Sequence, residues 1–182
     1  MYAVVAHFDE ETEMTIKKLW SDLSDRSISK YAEEIPDRRP HITIASYKDL
    51  NLDKVIPAFD EYYQSKPSVP LSLNVLGTFL NSSALFLTPT PSLHLLNFHS
   101  QHHQHFEMYN DNPNSLYLPG HWMPHCTIAN RLSKDKLEEA FSFCSQSLKY
   151  IHAQIEEVAI ITTVFENKSI VGAPTVHYIP LK

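Results

Sequence analysis

Apolar and polar positions follow two different periods along this chain, and the changes of period predict its elements. Residues 2–8 form a short, largely apolar run, which predicts a first strand. An aspartate and three glutamates come soon after, and apolar residues then recur at helical spacing. This pattern predicts a helix capped by Asp9 with one buried face. The residues of that face are Ile16, Leu19, Trp20 and Leu23.

The rest of the chain alternates strands and helices in the same way. Apolar residues at helical spacing predict further helices over residues 51–64, from Ser92 and from Ser133. Alternating or β-rich segments predict strands over residues 71–79, 84–88, 155–165 and 175–181, with a turn at residues 166–168. Two further strands, over a short sequence repeated at residues 40–45 and 124–129, are called motif strands. With them the order is strand, helix, motif strand, helix, hairpin, then helix, motif strand, helix, hairpin. We therefore expect one domain, residues 1–182, made of two halves built on one plan.

Composition and charge limit the class of protein. The chain has 182 residues, of which 43% are hydrophobic, enough to bury a core. A formal charge of −6 argues against broad binding of duplex nucleic acid, which needs many cationic contacts to phosphates. Two cysteines cannot form a disulfide framework. The N-terminus lacks a basic lead or cleavage site, and no run is long enough to span a membrane, so we expect a cytoplasmic monomer without a membrane partner.

One short sequence occurs almost unchanged in both halves. Residues 40–45 are PHITIA and residues 124–129 are PHCTIA. Successive side chains of a strand point to opposite faces, so His and Thr of each copy share a face while the residue between them points the other way. Proline is tolerated at the first residue of a strand, so each copy is predicted to be a strand beginning near its histidine. A single His-x-Thr is a weak signal in a chain with 11 histidines, but the repeated flanks are not.

The repeated residue types suit acid and base catalysis. Histidine titrates near pH 6.5, so one imidazole can accept a proton while the other donates one, and we expect these roles for His41 and His125. Thr43 and Thr127 can donate hydrogen bonds to a substrate, although threonine is also common in strands for its shape alone. The pattern does not indicate which histidine is the acid.

The predicted third helix is unusually rich in histidine. Five histidines occur within it: His94, His99, His102, His103 and His105. Two of them lie four residues apart, as in zinc-binding helices, but the glutamate of a His-Glu-x-x-His motif is missing. We therefore expect no metal at this helix, and a histidine-rich metal-binding protein remains a distant alternative.

Two His-x-Thr strands separated by about half a chain resemble the two-histidine (2H) phosphoesterase superfamily, which includes 2′-5′ RNA ligase-like proteins and cyclic phosphodiesterases. The resemblance rests on His41, Thr43, His125 and Thr127, with weaker support from the residues that lead into each motif. It implies an α+β fold of two pseudo-symmetric lobes, each an antiparallel sheet with outer helices, enclosing a central cleft. It also implies hydrolysis of a 2′,3′-cyclic phosphate or a 2′-5′ phosphodiester of RNA ends or small nucleotides, without metal or cofactor, and with RNA ligase-like reverse activity as a further expectation.

Three residues outside the motifs are further candidates for substrate binding. Arg131 follows the second motif and could contact phosphate, or it could be a solvated surface charge. Trp122 and Phe79 could stack on a base, or they could pack in the core. The main alternative to an enzyme is an RNA-end or nucleotide binding module with little turnover. Two matched titratable groups favour the enzyme.

Overall fold

A computed structural model describes residues 1–167 and 169–182 of the chain. The helices in this part are α1 (Glu10–Asp25), α2 (Leu52–Tyr63), α3 (Leu93–His105), α4 (Lys134–Ser147) and a 3₁₀ helix (Glu107–Tyr109). The strands are β1 (Tyr2–Phe8), β2 (His41–Tyr47), β3 (Val69–Thr78), β4 (Leu85–Pro89), β5 (Cys126–Ala129), β6 (Ile151–Thr162), β7 (Val164–Glu166), β8 (Ser169–Gly172) and β9 (Thr175–Pro180). The predicted α+β class is confirmed.

Most of these strands form one antiparallel sheet in the order β2-β1-β6-β3-β4-β5, with β9 also paired to β6. The long strand β6 lies in the middle of this order, because its first residues pair with β3 and its later residues pair with β1 on one edge and with β9 on the other. The first motif is in β2 and the second is in β5, at the two ends of the sheet. These end strands also contact each other, so the sheet curves until its two motifs are neighbours.

The strand register places a row of side chains beside the first motif. His41 of β2 pairs with His7 of β1, and His7 pairs with Glu157 of β6. Directly paired residues point to the same face of a sheet. The three side chains therefore stand in line across three strands, on the face that also carries Thr43.

Helix positions agree with the predicted spacing. The Asp9 side chain caps α1 by accepting a hydrogen bond from the Thr12 backbone N–H at 2.9 Å, and the four predicted apolar residues of this helix are buried. Ser92 and Ser133 cap α3 and α4 in the same way, as predicted. Helix α1 packs on β1 and β6, while α4 packs on β3 and β4.

Some boundaries differ from the prediction. Strand β5 begins at Cys126, so His125 lies just before the strand rather than within it. Strand β6 begins at Ile151 and ends at Thr162, whereas the prediction was 155–165. The predicted turn at residues 166–168 includes Lys168, which lies outside the described residues.

A helix that spans a bilayer needs about 20 consecutive, mostly apolar residues. Within residues 1–167 and 169–182, none of them is long and apolar enough to cross a membrane.

Candidate active site

Both motif histidines are fixed by the same local contact. The Nδ1 of His41 lies 2.8 Å from the backbone oxygen of Arg39, and the Nδ1 of His125 lies 2.8 Å from the backbone oxygen of Met123. A carbonyl can only accept, so each Nδ1 donates and carries the ring proton. In the neutral imidazole the Nε2 atom is then the one able to accept a proton. The sequence repeat therefore produces two imidazoles with the same orientation relative to their own strands.

Contacts between the halves hold the two motifs together. The indole Nε1 of Trp122, three residues before His125, donates a 2.8 Å hydrogen bond to the backbone oxygen of Thr43. The hydroxyls of Ser46 and Ser115 lie 3.1 Å apart. The charge of His125 is also one of the influences that lower the pKa of His41, so the two rings belong to one electrostatic site.

The alternation predicted within each motif is present. Ile42 and Cys126 are buried in the core, while the flanking His and Thr residues are half-buried. Burial also raises the pKa of the Cys126 thiol to about 12, so this cysteine is an uncharged apolar group rather than a nucleophile. The hydroxyls of Thr43 and Thr127 are thus on the side of the strands that carries the imidazoles.

Two tyrosines that the sequence pattern did not single out approach the threonines. Burial raises the pKa of Tyr117, and hydrogen bonding to Thr43 opposes that rise. Burial also raises the pKa of Tyr31, opposed by the Arg38 charge and by hydrogen bonding to Arg38 and to Thr127. Each tyrosine therefore remains a protonated phenol next to the threonine of the other half of the chain. Isolated tyrosines in loops carry no periodic signal that would have identified them.

A partly buried charge network supports the His41 side of the site. The Nδ1 of His7 lies 2.7 Å from Glu157 Oε1, and Arg39 Nη1 lies 2.6 Å from the same oxygen. Arg39 Nη2 also donates to Glu13 Oε1 at 2.6 Å. Since the Arg39 backbone oxygen holds His41, this network fixes the residue that orients the first imidazole.

The His125 side is wider and more apolar. The Phe79 ring meets the His125 ring edge to face, with centroids 4.9 Å apart. A cavity of about 550 Å³ opens beside them, and Leu116, Tyr117 and Met123 also line it. The two sides of the site therefore differ in chemistry, one charged and narrow, the other apolar and broad.

The two imidazoles also differ in how readily they take up a proton. Burial lowers the pKa of His41 to about 4, and the charges of His7, Arg38 and His125 act in the same direction. Burial lowers the pKa of His125 as well, opposed by its hydrogen bond to Met123. Burial thus opposes protonation of both imidazoles, and nearby charges, that of Arg38 among them, oppose it further at His41.

Three of the five histidines of α3 form hydrogen bonds within the protein. His99 Nε2 lies 2.7 Å from the Tyr117 backbone oxygen, and His103 Nε2 lies 3.1 Å from the Ile44 backbone oxygen. His102 lies between the hydroxyls of Tyr47 and Tyr63, at 3.0 and 2.8 Å. Across residues 1–167 and 169–182, no group of three or more His, Cys, Asp or Glu side chains is placed to hold a metal ion. That α3 binds no metal remains a prediction.

The three further candidates lie in different surroundings. Phe79 lines the apolar cavity beside His125. Trp122 stacks on His99 with ring centroids 3.8 Å apart and planes at 2°, so one face of its indole is already covered. Arg131 is exposed and its backbone is left-handed, with φ 55°. The assignment of these residues to substrate binding remains a prediction.

Comparison with known proteins extends these findings. The family model described as "2'-5' RNA ligase superfamily" matches residues 8–164. Solved structures share the fold across 99% of this chain. One is a phosphoesterase, with 14% sequence identity, 97% of its own chain covered and a TM-score of 0.62. Another is E. coli LigT complexed with 3'-AMP, with 13% identity, 96% of its chain covered and a TM-score of 0.58. A third is TT0787 of Thermus thermophilus, with 12% identity, 97% of its chain covered and a TM-score of 0.65. No curated protein matches the sequence.

Proposed function

Because the chain belongs to the 2'-5' RNA ligase superfamily, we propose that it is a metal-independent phosphodiesterase acting on a 2′,3′-cyclic phosphate or a 2′-5′ phosphodiester. Its substrate is an RNA end or a small nucleotide. One observation carries the proposal: each half of the chain supplies an imidazole whose Nδ1 is fixed by the carbonyl two residues before it. The likeness to LigT, which was solved with 3'-AMP, supports a nucleotide as the ligand.

The proposed reaction needs one base and one acid. His41 Nε2 takes a proton from water, the water oxygen attacks phosphorus, and the bond from phosphorus to one ester oxygen breaks. His125, protonated, gives its proton to that leaving oxygen, so a cyclic phosphate becomes a monoester. We assign His41 as the base because burial, reinforced by nearby charges, lowers its pKa to about 4 and keeps it neutral, and we assign His125 as the acid. Each role contributes a factor of ~10²–10⁴ to the rate.

The remaining groups bind the phosphate and the nucleoside. Thr43 and Thr127 donate hydrogen bonds to the non-bridging oxygens, whose charge changes during attack. The apolar cavity beside His125, which Phe79 lines, accepts the base of the substrate.

The activity is tested by a turnover screen in the presence of a chelator. The substrates are 2′,3′-cyclic nucleotides, 2′-5′ linked dinucleotides and an RNA ending in a cyclic phosphate, and the matched control is the His41→Ala/His125→Ala double variant purified identically. We expect turnover by the natural protein and none by the double variant. Binding of these compounds without turnover would replace the proposal with the nucleotide-binding module.

A further inference from the structure

Arg38 is a nearly buried cation whose charge is weakly compensated. Its side chain is 12% exposed, and its ion pair with Glu34 is long, at 3.9 Å, to a carboxylate that is 44% exposed. An ion pair with such an exposed partner is largely screened by water. Within the described part of the chain, the Arg38 Nε atom is buried without a hydrogen-bond partner. Burying a charge without good pairing is costly, so an anion that reached this guanidinium would be stabilised.

Arg39, the next residue, is by contrast closely paired with two carboxylates. Arg39 lies 2.6 Å from Glu157 and 2.6 Å from Glu13, both largely buried. Its charge is therefore committed to the protein. The two arginines are adjacent in sequence, but only Arg39 is closely paired with carboxylates. The Arg38 guanidinium is therefore the one that can bind an added anion.

Arg38 borders the first motif directly and is connected to the second motif through Tyr31. Its guanidinium carbon stands 3.8 Å above the ring of Tyr31, the tyrosine that approaches Thr127 of the second motif. Arg38 and His41 of the first motif line one cavity of about 60 Å³, together with His7 and Asp37. This volume is several times the ~10–15 Å³ that a single water requires, so the cavity has room for a tetrahedral anion.

We propose that Arg38 is a catalytic residue that donates hydrogen bonds, from the wall of this cavity beside His41, to the reacting phosphate group held between the two motifs. The inference rests on the proposed function and adds the cation that the two motifs lack. A phosphodiester carries one negative charge, and the attack of water moves further charge onto its non-bridging oxygens. Threonine hydroxyls donate hydrogen bonds but carry no charge, whereas a guanidinium supplies a positive charge and parallel donors. Tyr31 holds that guanidinium by stacking.

Binding of inorganic phosphate to the full chain tests the site without turnover. Calorimetry compares the natural protein with Arg38→Gln, Arg38→Lys and the control Arg26→Gln. Arg26 also stacks on an aromatic ring, Phe143 at 4.4 Å, but lies at the exposed end of α1. We expect Arg38→Gln to weaken phosphate binding about 10- to 100-fold, as the loss of a charge-assisted hydrogen bond does. The phosphate affinity of Arg38→Lys should lie between those of Arg38→Gln and the natural protein, and that of Arg26→Gln should equal the natural value. Phosphate affinity within twofold of the natural value for Arg38→Gln would overturn the proposal.

Kinetics separate a catalytic role from a structural one. Arg38→Gln should lower kcat/KM for a cyclic nucleotide about 10²–10³-fold, as the loss of a transition-state donor does. It should also move the acidic limb of the pH profile to higher pH, since one of the charges that oppose protonation of His41 has gone. Added guanidinium ion should restore part of the activity of Arg38→Ala. A catalytic role for Arg38 would be contradicted if Arg38→Gln lost activity without a shift of the acidic limb and guanidinium ion restored no activity to Arg38→Ala. If the natural protein bound phosphate through Arg38 but cleaved no phosphodiester, the proposed function would fail and this site would stand.

Discussion

Each motif histidine is oriented by the backbone carbonyl two residues before it, a contact that the sequence pattern does not predict. The pattern predicted His41 and His125, because a repeated strand motif specifies residue type and face. It did not predict His7 or Glu157, because their contact joins positions 150 residues apart. Periodicity reports which side of an element is buried, whereas a long-range ion pair depends on which strands become neighbours.

At the residue scale, the threonines should matter less than the histidines. We expect Thr43→Val or Thr127→Val to lower kcat/KM about tenfold, since a neutral hydrogen bond contributes ~0.5–1.5 kcal/mol. Steady-state kinetics on a 2′,3′-cyclic nucleotide measures this, with circular dichroism as a check on folding. A loss as large as that of a histidine variant would give the threonine a role beyond hydrogen bonding.

Glu157 should contribute to stability through its two partners. We expect Glu157→Gln to lower the free energy of unfolding by about 1–3 kcal/mol, because His7 and Arg39 both lose a charged acceptor. Glu156→Gln is the matched control, since Glu156 is exposed at the neighbouring position of the same strand. Urea denaturation compares the two variants. Equal midpoints would show that the network contributes nothing measurable.

At the scale of elements, α3 is tied to the elements that carry the site. His99, His102 and His103 form hydrogen bonds with carbonyls and hydroxyls from β2, α2 and the loop before the second motif, and the absence of metal at this helix remains a prediction. Helical spacing predicted the element and its cap. The sequence could not show how these histidines are used, because a buried histidine that bridges two tyrosines and a metal ligand look alike in a sequence.

The bridging histidine of α3 should be essential to stability. We expect His102→Ala to cost at least ~2 kcal/mol in free energy of unfolding, because two buried tyrosine hydroxyls would lose their partner. His94→Ala on the same helix is the control, and since His94 is exposed its effect should lie within ~0.5 kcal/mol. Chemical denaturation measures both. A His102→Ala protein as stable as the His94→Ala protein would contradict this account of α3.

At the scale of the whole molecule, the two halves share one sheet through β6. The sequence predicts two halves on one plan, and that division remains a prediction. It could not predict that one strand would pair with both β3 and β9, because β6 is only a long β-rich run until its neighbours are known. Nor could it predict the contact between β2 and β5, which depends on the curvature of the sheet.

Acid should destabilise the fold. Burial lowers the pKa of His99 to about 4 and holds that of His102 well below its ordinary value. Unfolded histidine titrates near 6.5, so below that pH the unfolded chain binds more protons than the folded one, and stability falls as pH falls from about 6.5 toward 4. We expect a lower urea midpoint at pH 5 than at pH 7.5, and a smaller difference in His99→Gln, which cannot titrate at that position. A midpoint independent of pH would contradict the assignment of buried neutral histidines.

The central claim is that His41 and His125 act as base and acid without a metal, and the pH dependence of kcat/KM tests it most directly. In a chelator, hydrolysis of a 2′,3′-cyclic nucleotide should be bell-shaped, with both limbs below pH 6.5 because both pKa values are lowered in the free protein. His41→Ala should lose the acidic limb and His125→Ala the alkaline limb, each with a fall of ~10²–10⁴ in rate. Turnover by the double variant, or activity that the chelator abolishes, would contradict it.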